Sequence, residues 1–374
     1  MSSRHPEPNP QLAPLTPFKQ GRGTIPGVVA PIKLSANESH LGPSPAAVEA
    51  YRQAANSLAI YPDGSQYALR TAIAETFGLL AEQIVCGNGS DELLQLLIRA
   101  YLRPDDEIVF SRYSFEMAMV HARAQGAKLV IAEEPQLRPD AEQILAAVTP
   151  RTRMVLLASP NNPVGQYMPA EELWSLHRRL RSDIVLVIDS AYADYVMADD
   201  YEAGAALVAA GANAVMTRTF SKLYGLAATR IGWCYAPPNI VDAIQRIRTP
   251  FNASTGSMAA AAAAVRDTAH RDFVREYNRR ELEAIAARVA AQLPGVEFVR
   301  TAANFYLLRF CDGVHTPDGA SAALESQGII ARPVSAGGPE RCLRITVGLT
   351  QENDAVMRVL ADYVGHPVSG AAHR

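Results

Sequence analysis

Lysine is scarce in this chain: its 35 basic side chains divide into 31 arginines and four lysines, Lys19, Lys33, Lys128 and Lys222. Any chemistry that requires a primary amine therefore has four candidates. Cysteine is as sparse. Cys86, Cys234, Cys311 and Cys342 lie far apart with no Cys-x-x-Cys pair, and none of the eight histidines forms a His-Glu-x-x-His or comparable ligand pair. Structural zinc and a disulfide framework both lose support. A basic excess is missing too, since 38 acidic side chains outweigh the basic ones for a formal charge of −3. Nucleic acid and anionic membrane surfaces are poor partners for such a charge balance. No apolar run approaches the roughly 20 residues that a membrane helix requires, and residues 1–17 are proline-rich where a signal sequence would be hydrophobic. We therefore expect a cytoplasmic protein.

What is present points to a large folded protein. At 374 residues the chain exceeds one ordinary domain of about 150 residues, and its 48% hydrophobic content can bury a core. Residues 1–20 hold Pro6, Pro8, Pro10, Pro14 and Pro17 among polar neighbours and read as a flexible N-terminal arm. From about residue 83, short apolar runs alternate with helix-length segments: Ile84–Cys86, Glu107–Phe110, Lys128–Ala132, Met154–Ala158, Ile184–Ile188, Ala214–Thr217 and Gly232–Tyr235. Continuous apolar strands between amphipathic helices predict an α/β fold, with a mostly parallel central sheet in a three-layer α/β/α domain. Ligands in such folds bind beyond the carboxyl ends of the strands. After Pro250 the texture changes to an alanine-rich helix, a charged helix over 271–293 and strands near Phe305–Phe310 and Leu343–Val347. We expect a large domain over 51–250 and a smaller α+β domain from 21–50 and 251–374.

Polar groups gather after the predicted strands. Gly87-Asn88-Gly89-Ser90-Asp91-Glu92 runs into a helix, so its free N–H groups can cradle an anion; alternatively Ser90 is an ordinary N-cap. Ser159-Pro160-Asn161-Asn162-Pro163-Val164-Gly165 is a rigid turn bearing amides. Asp189 ends a strand three residues before Tyr192, where a carboxylate can cap a helix, ligate a metal or partner a cationic ring. The segment Thr217 to Gly232 sets Lys222 after a buried strand, flanked by the hydroxyls of Thr219 and Ser221, with Arg230 eight residues on. A lysine entering a low-dielectric crevice is suited to form a Schiff base. Ser-Lys alone is a common pair. The order cradle, Asn-Pro turn, strand-end Asp and Ser-Lys is not.

With these motifs the sequence resembles the fold-type I pyridoxal-phosphate enzymes, specifically the class I/II aminotransferases and, within them, the histidinol-phosphate aminotransferase family. The resemblance spans roughly residues 15–360. It is carried by Leu34-Ser35-Ala36-Asn37-Glu38, Tyr61-Pro62, Gly89-Ser90-Asp91-Glu92, Asn161-Asn162-Pro163-Val164-Gly165, Asp189-x-x-Tyr192, Ser221-Lys222, Arg230-Ile231-Gly232 and Cys342-Leu343-Arg344-Ile345-Thr346-Val347-Gly348.

The resemblance implies roles. Lys222 would hold pyridoxal 5'-phosphate as a Schiff base and then move the proton of the transamination. Asp189 would pair with the pyridine nitrogen, Asn162 and Tyr192 would bond the ring oxygen, and Tyr113 would stack on the ring, unless it is simply a core aromatic. The cofactor phosphate would sit on the N–H groups of Ser90 and Asp91, the hydroxyls of Thr219 and Ser221, and Arg230, with Tyr61 reaching in from the neighbour in a homodimer. Arg344, Arg332 and Asn37 would bind substrate. An arginine fork suits a carboxylate or a phosphate equally, so the amino donor stays open between L-histidinol phosphate and aromatic amino acids, with 2-oxoglutarate as acceptor. A decarboxylase of a phospho-amino acid and a non-catalytic binding module are more distant readings. Three positions depart from the family. Phe18 stands where some members have a tyrosine that bonds the substrate phosphate, which favours aromatic amino acids. His40 replaces a frequent proline and Thr229 a frequent leucine.

Overall fold

A computed structural model describes residues 7–17, 21–334 and 338–365. The first strand, β1 (Ile32–Lys33), lies apart from the large sheet, which is built from β2 (Ile84–Gly87), β3 (Glu107–Ser111), β4 (Lys128–Ala132), β5 (Thr152–Ala158), β6 (Val185–Asp189), β7 (Ala214–Thr219) and β8 (Gly232–Tyr235). Their order is β2-β8-β7-β6-β5-β3-β4. All neighbours run parallel except β8, which is antiparallel to both β2 and β7. Every run expected from the sequence is a strand of this sheet, with ends shifted by two residues at most. Five of the seven strands are buried at every residue, because both faces are covered. The edge strand β4 is instead only partly buried and begins at the exposed Lys128, a charge suited to an edge that should not pair with another chain.

Alternate residues of each strand feed two cores. Ile188, Leu186, Leu157 and Met216 pack on one face with α1 (Pro45–Ala54), α2 (Tyr67–Phe77), α6 (Ala170–Arg179) and α7 (Ala205–Ala210). Val187, Val185, Leu156 and Val215 pack on the other with α3 (Gly89–Tyr101), α4 (Glu116–Ala124) and α8 (Pro238–Ile247). Helix α5 (Ala141–Ala147) packs against α6 near the β4 edge. The alanine-rich α9 (Thr255–Arg266) differs from its expected place in the smaller unit. Its buried Ala260, Ala261 and Ala264 lie in the first core, against α1 and α2, since methyl-sized side chains let three helices approach closely. Helix α1, which straddles the expected boundary at residue 50, packs there too.

The second unit has an antiparallel sheet of order β12-β13-β10-β9, formed by β9 (Val296–Val299), β10 (Phe305–Phe310), β12 (Arg332–Pro333) and β13 (Cys342–Thr346). Strand β1 pairs in parallel with β11 (Ile329–Ile330). The core here is Leu34, Tyr306, Leu308, Leu343 and Ile345 under α10 (Thr268–Gln292), α11 (Pro317–Ser326) and α12 (Thr350–Gly365). Helix α10 joins the two units, contributing Val274 to the first core and Ile285 and Val289 to this one. No described helix is long and apolar enough to cross a membrane.

One buried ion pair braces the large unit. Arg218 of β7 pairs with Asp194, which also accepts a hydrogen bond from the Tyr224 hydroxyl at 3.2 Å. The guanidinium lies over the rings of Phe77 and Trp233, 4.9 and 5.6 Å from their centroids. Breaking one side of such a pair typically costs about 3 to 5 kcal/mol. Asp194 lies two residues after Tyr192 and Tyr224 two after Lys222, so the network locks those segments together.

Candidate active site

The carboxyl ends of β5, β6 and β7 lie side by side, with Ala158 opposite Asp189 and Asp189 opposite Thr217. A cavity of about 180 Å³ opens above them, lined among others by Asp189, Tyr192, Asn162 and Lys222. Lys222 is half-buried on a closed loop. Phe220 N–H bonds Ile231 O at 3.1 Å and Gly225 N–H bonds Lys222 O at 3.0 Å, while Phe220, Leu223 and Tyr224 are driven into the core around it. The amine is thus left on the cavity side, where it donates to Ala36 O at 3.2 Å and stands 5.6 Å from the Tyr192 ring centroid.

One wall can seat an anion. Helix α3 begins there, and its N-cap residue Asn88 makes no side-chain cap bond, which leaves the first-turn N–H groups of Ser90 and Asp91 available. Thr219, Ser221 and Arg230 line the same wall. Arg230 donates to Ser221 Oγ at 3.3 Å. Gly89 has φ of +80°, and a Cβ there would meet Arg230 Nη2 at 2.8 Å. Gly232 pairs with both Gly87 and Thr219, and a Cβ on it would come within 2.4 Å of Ser90 N. Only glycine lets these segments close into one cradle.

Opposite stand charges without protein counter-charges. Asp189 is buried and accepts from Thr217 Oγ1 at 3.2 Å, and burial pushes its carboxyl up to about 6, with nearby Asp91 adding to the rise and Lys222 offsetting part of it. Arg344 of β13 is also buried. It donates to Asn162 Oδ1 at 2.7 Å and Ser35 O at 2.5 Å, its Nε has no partner, and no acidic side chain pairs with it among the described residues. Loss of hydration lowers its pKa to about 10, and the charge of Arg332 contributes to the lowering. Arg332 is half-buried on β12, directly across from Arg344. The Tyr192 hydroxyl accepts from Asn37 Nδ2 at 2.9 Å and Asn162 Nδ2 at 3.5 Å, and its ring meets Phe305 edge-on. Asn37, at φ of +56°, is held by Thr346 Oγ1 on its N–H and by Asn304 Nδ2 on its carbonyl.

Most of the expected residues therefore meet around one cavity. Tyr113 does not line it. Its ring packs among Val164, Val299, Leu307 and Cys342, and its N–H is bound by Glu134, while Phe115 forms the cavity wall. Tyr61 is 79% exposed and stacked on Phe251 at 4.7 Å, and it is not among the residues that line this chain's cavity. Phe18 and Lys19 lie outside the described residues. Three contributors had no motif to mark them: Phe115, Asn304 and the buried Glu134.

The family model described as aminotransferase class I and II matches residues 29–360. The histidinol-phosphate aminotransferase of Paramagnetospirillum magneticum is 44% identical over 361 residues, covering 96% of this chain and 99% of that protein. The protein of the same name from Rhodospirillum centenum is 44% identical over 359 residues, covering 96% and 99%. Among solved structures, histidinol-phosphate aminotransferase from Sinorhizobium meliloti in complex with pyridoxal-5'-phosphate superposes with a TM-score of 0.86 at 28% identity, covering 97% of this chain and 99% of that one.

The raised Asp189 carboxyl sets a stability test without any ligand. A folded-state pKa above the unfolded one favours the fold at low pH, and that contribution is lost as pH rises from about 4 through 6. In cofactor-free protein, Asp189→Asn should therefore raise stability at pH 8 by about 1 to 3 kcal/mol, with the difference shrinking towards pH 5. Urea unfolding at both pH values measures this. A variant less stable than wild type at pH 8 would show that the charge is already balanced within the protein.

Proposed function

We propose, from a chain that belongs to the class I and II aminotransferase family, that it transfers the amino group of L-histidinol phosphate to 2-oxoglutarate, giving imidazole-acetol phosphate and L-glutamate. The observation that carries the reading is Asp189, a buried carboxylate with no directly paired cation, in one cavity with the Lys222 amine and the anion seat. A phosphorylated ring with a cationic nitrogen and a carbonyl answers all three. Pyridoxal 5'-phosphate, when bound, supplies an electrophilic carbon for amines and a ring that accepts electrons released at the substrate Cα.

The chain's own residues then have distinct tasks. Ser90 and Asp91 N–H groups, with Thr219, Ser221 and Arg230, hold the phosphate. Asp189 keeps the ring nitrogen protonated. Tyr192 and Asn162 orient the ring oxygen, and Asn37 fixes the Tyr192 phenol. Lys222 Nζ would take the proton from the substrate Cα and return it to the carbon on the other side of the amino nitrogen. Arg344, already largely desolvated in the fold, has little hydration left to lose when an anion arrives, and Arg332 across from it adds a second positive charge for a dianionic phosphate.

We further propose a cytoplasmic homodimer. Tyr51, Leu58, Ile60, Tyr61 and Phe251 are exposed large apolar or aromatic side chains around the same loops, a composition that favours coverage by a second copy. In that dimer Tyr61 of the partner subunit completes the phosphate seat. Mixing Lys222→Ala with Tyr61→Ala chains, each inactive or weak alone, should regenerate one good site per heterodimer. A mixture no more active than its components would argue against sharing.

Substrate choice has its own test. Wild type should prefer histidinol phosphate to histidine, phenylalanine and tyrosine in kcat/KM, and Arg332→Ala should reduce the phosphate substrate by about 10-fold to 150-fold with smaller effects on the amino acids. A wild type that prefers phenylalanine or tyrosine, with that preference untouched by Arg332→Ala, would replace this reading with an aromatic aminotransferase.

A further inference from the structure

Glu134 is a buried carboxylate, 6% exposed, that none of the roles above uses. It follows β4 and spans two segments that leave the carboxyl ends of the adjacent strands β3 and β5. Its Oε1 accepts from the Tyr113 N–H at 3.1 Å, and its Oε2 accepts from Asn161 Nδ2. No cation pays for its burial directly: the nearest guanidinium, Arg112, is engaged in a two-bond pair with Glu133 on the exposed side.

The Asn161 end of this bridge has a fixed orientation. Asn161 is fully buried, its Oδ1 accepts from the Gln166 N–H at 2.8 Å, and its Nδ2 also donates to Leu137 O at 3.3 Å. Turning the amide over would set oxygen against carboxylate and NH2 against N–H, so the donor must face Glu134. The next residue, Asn162, bonds both the Tyr192 hydroxyl and Arg344. At the other end, Tyr113 precedes by two residues the Phe115 that lines the cavity. An apolar side chain could fill the same volume; only a group with two acceptor oxygens can hold both donors.

We propose that Glu134 is a positioning residue for the cofactor cavity, its two carboxylate oxygens setting the separation between the Tyr113–Phe115 wall and the Asn161–Asn162 turn. The proposal rests on the aminotransferase reading given above. It also implies a dependence on the charge state of Glu134, whose carboxyl burial pushes up to about 7 against the opposing effects of the Tyr113 N–H, Asn161, Ser111 and Arg112. The titratable groups around it are Tyr113, Arg112 and Glu133, of which the last two neutralise each other. Once protonated, one oxygen becomes a donor and the carboxyl no longer accepts from both partners.

The test is the affinity of the full chain for pyridoxal 5'-phosphate, read from its absorbance, in wild type and Glu134→Gln. The glutamine sets an NH2 against Asn161 Nδ2, and the affinity should fall on the order of tenfold at pH 8. The ratio of the two affinities should approach one at pH 6, where wild type carries a neutral carboxyl as well; titrations of the cofactor and of Asp189 occur in both proteins and cancel in the ratio. Adding Asn161→Asp to Glu134→Gln restores the donor–acceptor match between these two side chains, while giving up the long bond to Leu137 O, and should recover part of the loss. An affinity ratio that is one at pH 8, or the same at both pH values, overturns the proposal. If Glu134→Gln fails to fold, Asn161→Ala takes its place, and tight binding by that variant at pH 8 is equally fatal. Because binding alone is measured, failure of every tested amino donor would leave this result standing, whereas a wild type that binds no cofactor would sink the aminotransferase reading with it.

Discussion

An ionised carboxylate at the base of a sheet covered on both faces is costly unless a cation meets it. Asp189 occupies such a position, and neither its strand neighbours nor the loops above supply that cation at contact distance; Thr217 offers a hydroxyl. The same imbalance recurs with opposite sign at Arg344, whose Nε has no partner, and with uncapped N–H groups at the start of α3. Each group is unfavourable by itself. Together they describe the complement of one molecule that carries a cationic ring, a phosphate and, once substrate joins it, a second anion.

Topology turns these residues into neighbours. Parallel β5, β6 and β7 deliver Ala158, Asp189 and Thr219 to the same edge, and antiparallel β8 closes the far side by pairing Gly232 with both Thr219 and Gly87. That single reversed strand brings Ser90, from residue 90, against a loop that begins at 219. The cost of so close an approach is borne by glycine at 89, where φ is +80°, and at 232, where a Cβ would run into the backbone of Ser90 and Gly89. The second unit contributes from the opposite side through Asn37 and Arg344, and α10 ties the two cores that carry these halves.

Much of this was legible in the chain because the signals were local. All seven strands of the large sheet read as short, mostly apolar runs, although β8 runs antiparallel to its neighbours and β4 is only partly buried. Lys222 stood out because so few lysines compete with it. Other features depended on partners distant in sequence. Tyr113 reads like a ring-stacking residue, but its ring is drawn into a pocket made by Val299 and Leu307, some 190 residues away, and Phe115 takes the wall. Helix α9 reads as the start of a new unit by composition, whereas the packing of its alanines against α1 and α2 is a matter of three-dimensional fit. Glu134 resembles any acidic residue in a polar turn. Its burial follows from the segments folded over it, and no spacing announces that.

The central claim is that Lys222 is the amine at the focus of these unpaired charges. Borohydride reduction of the loaded protein, followed by peptide mapping, tests it most directly. The account predicts a single reduced pyridoxyl adduct on Lys222 and loss of that adduct in Lys222→Ala, with phosphate-dependent binding retained. An adduct on Lys33, Lys128 or Lys19 in the unmodified chain would contradict it.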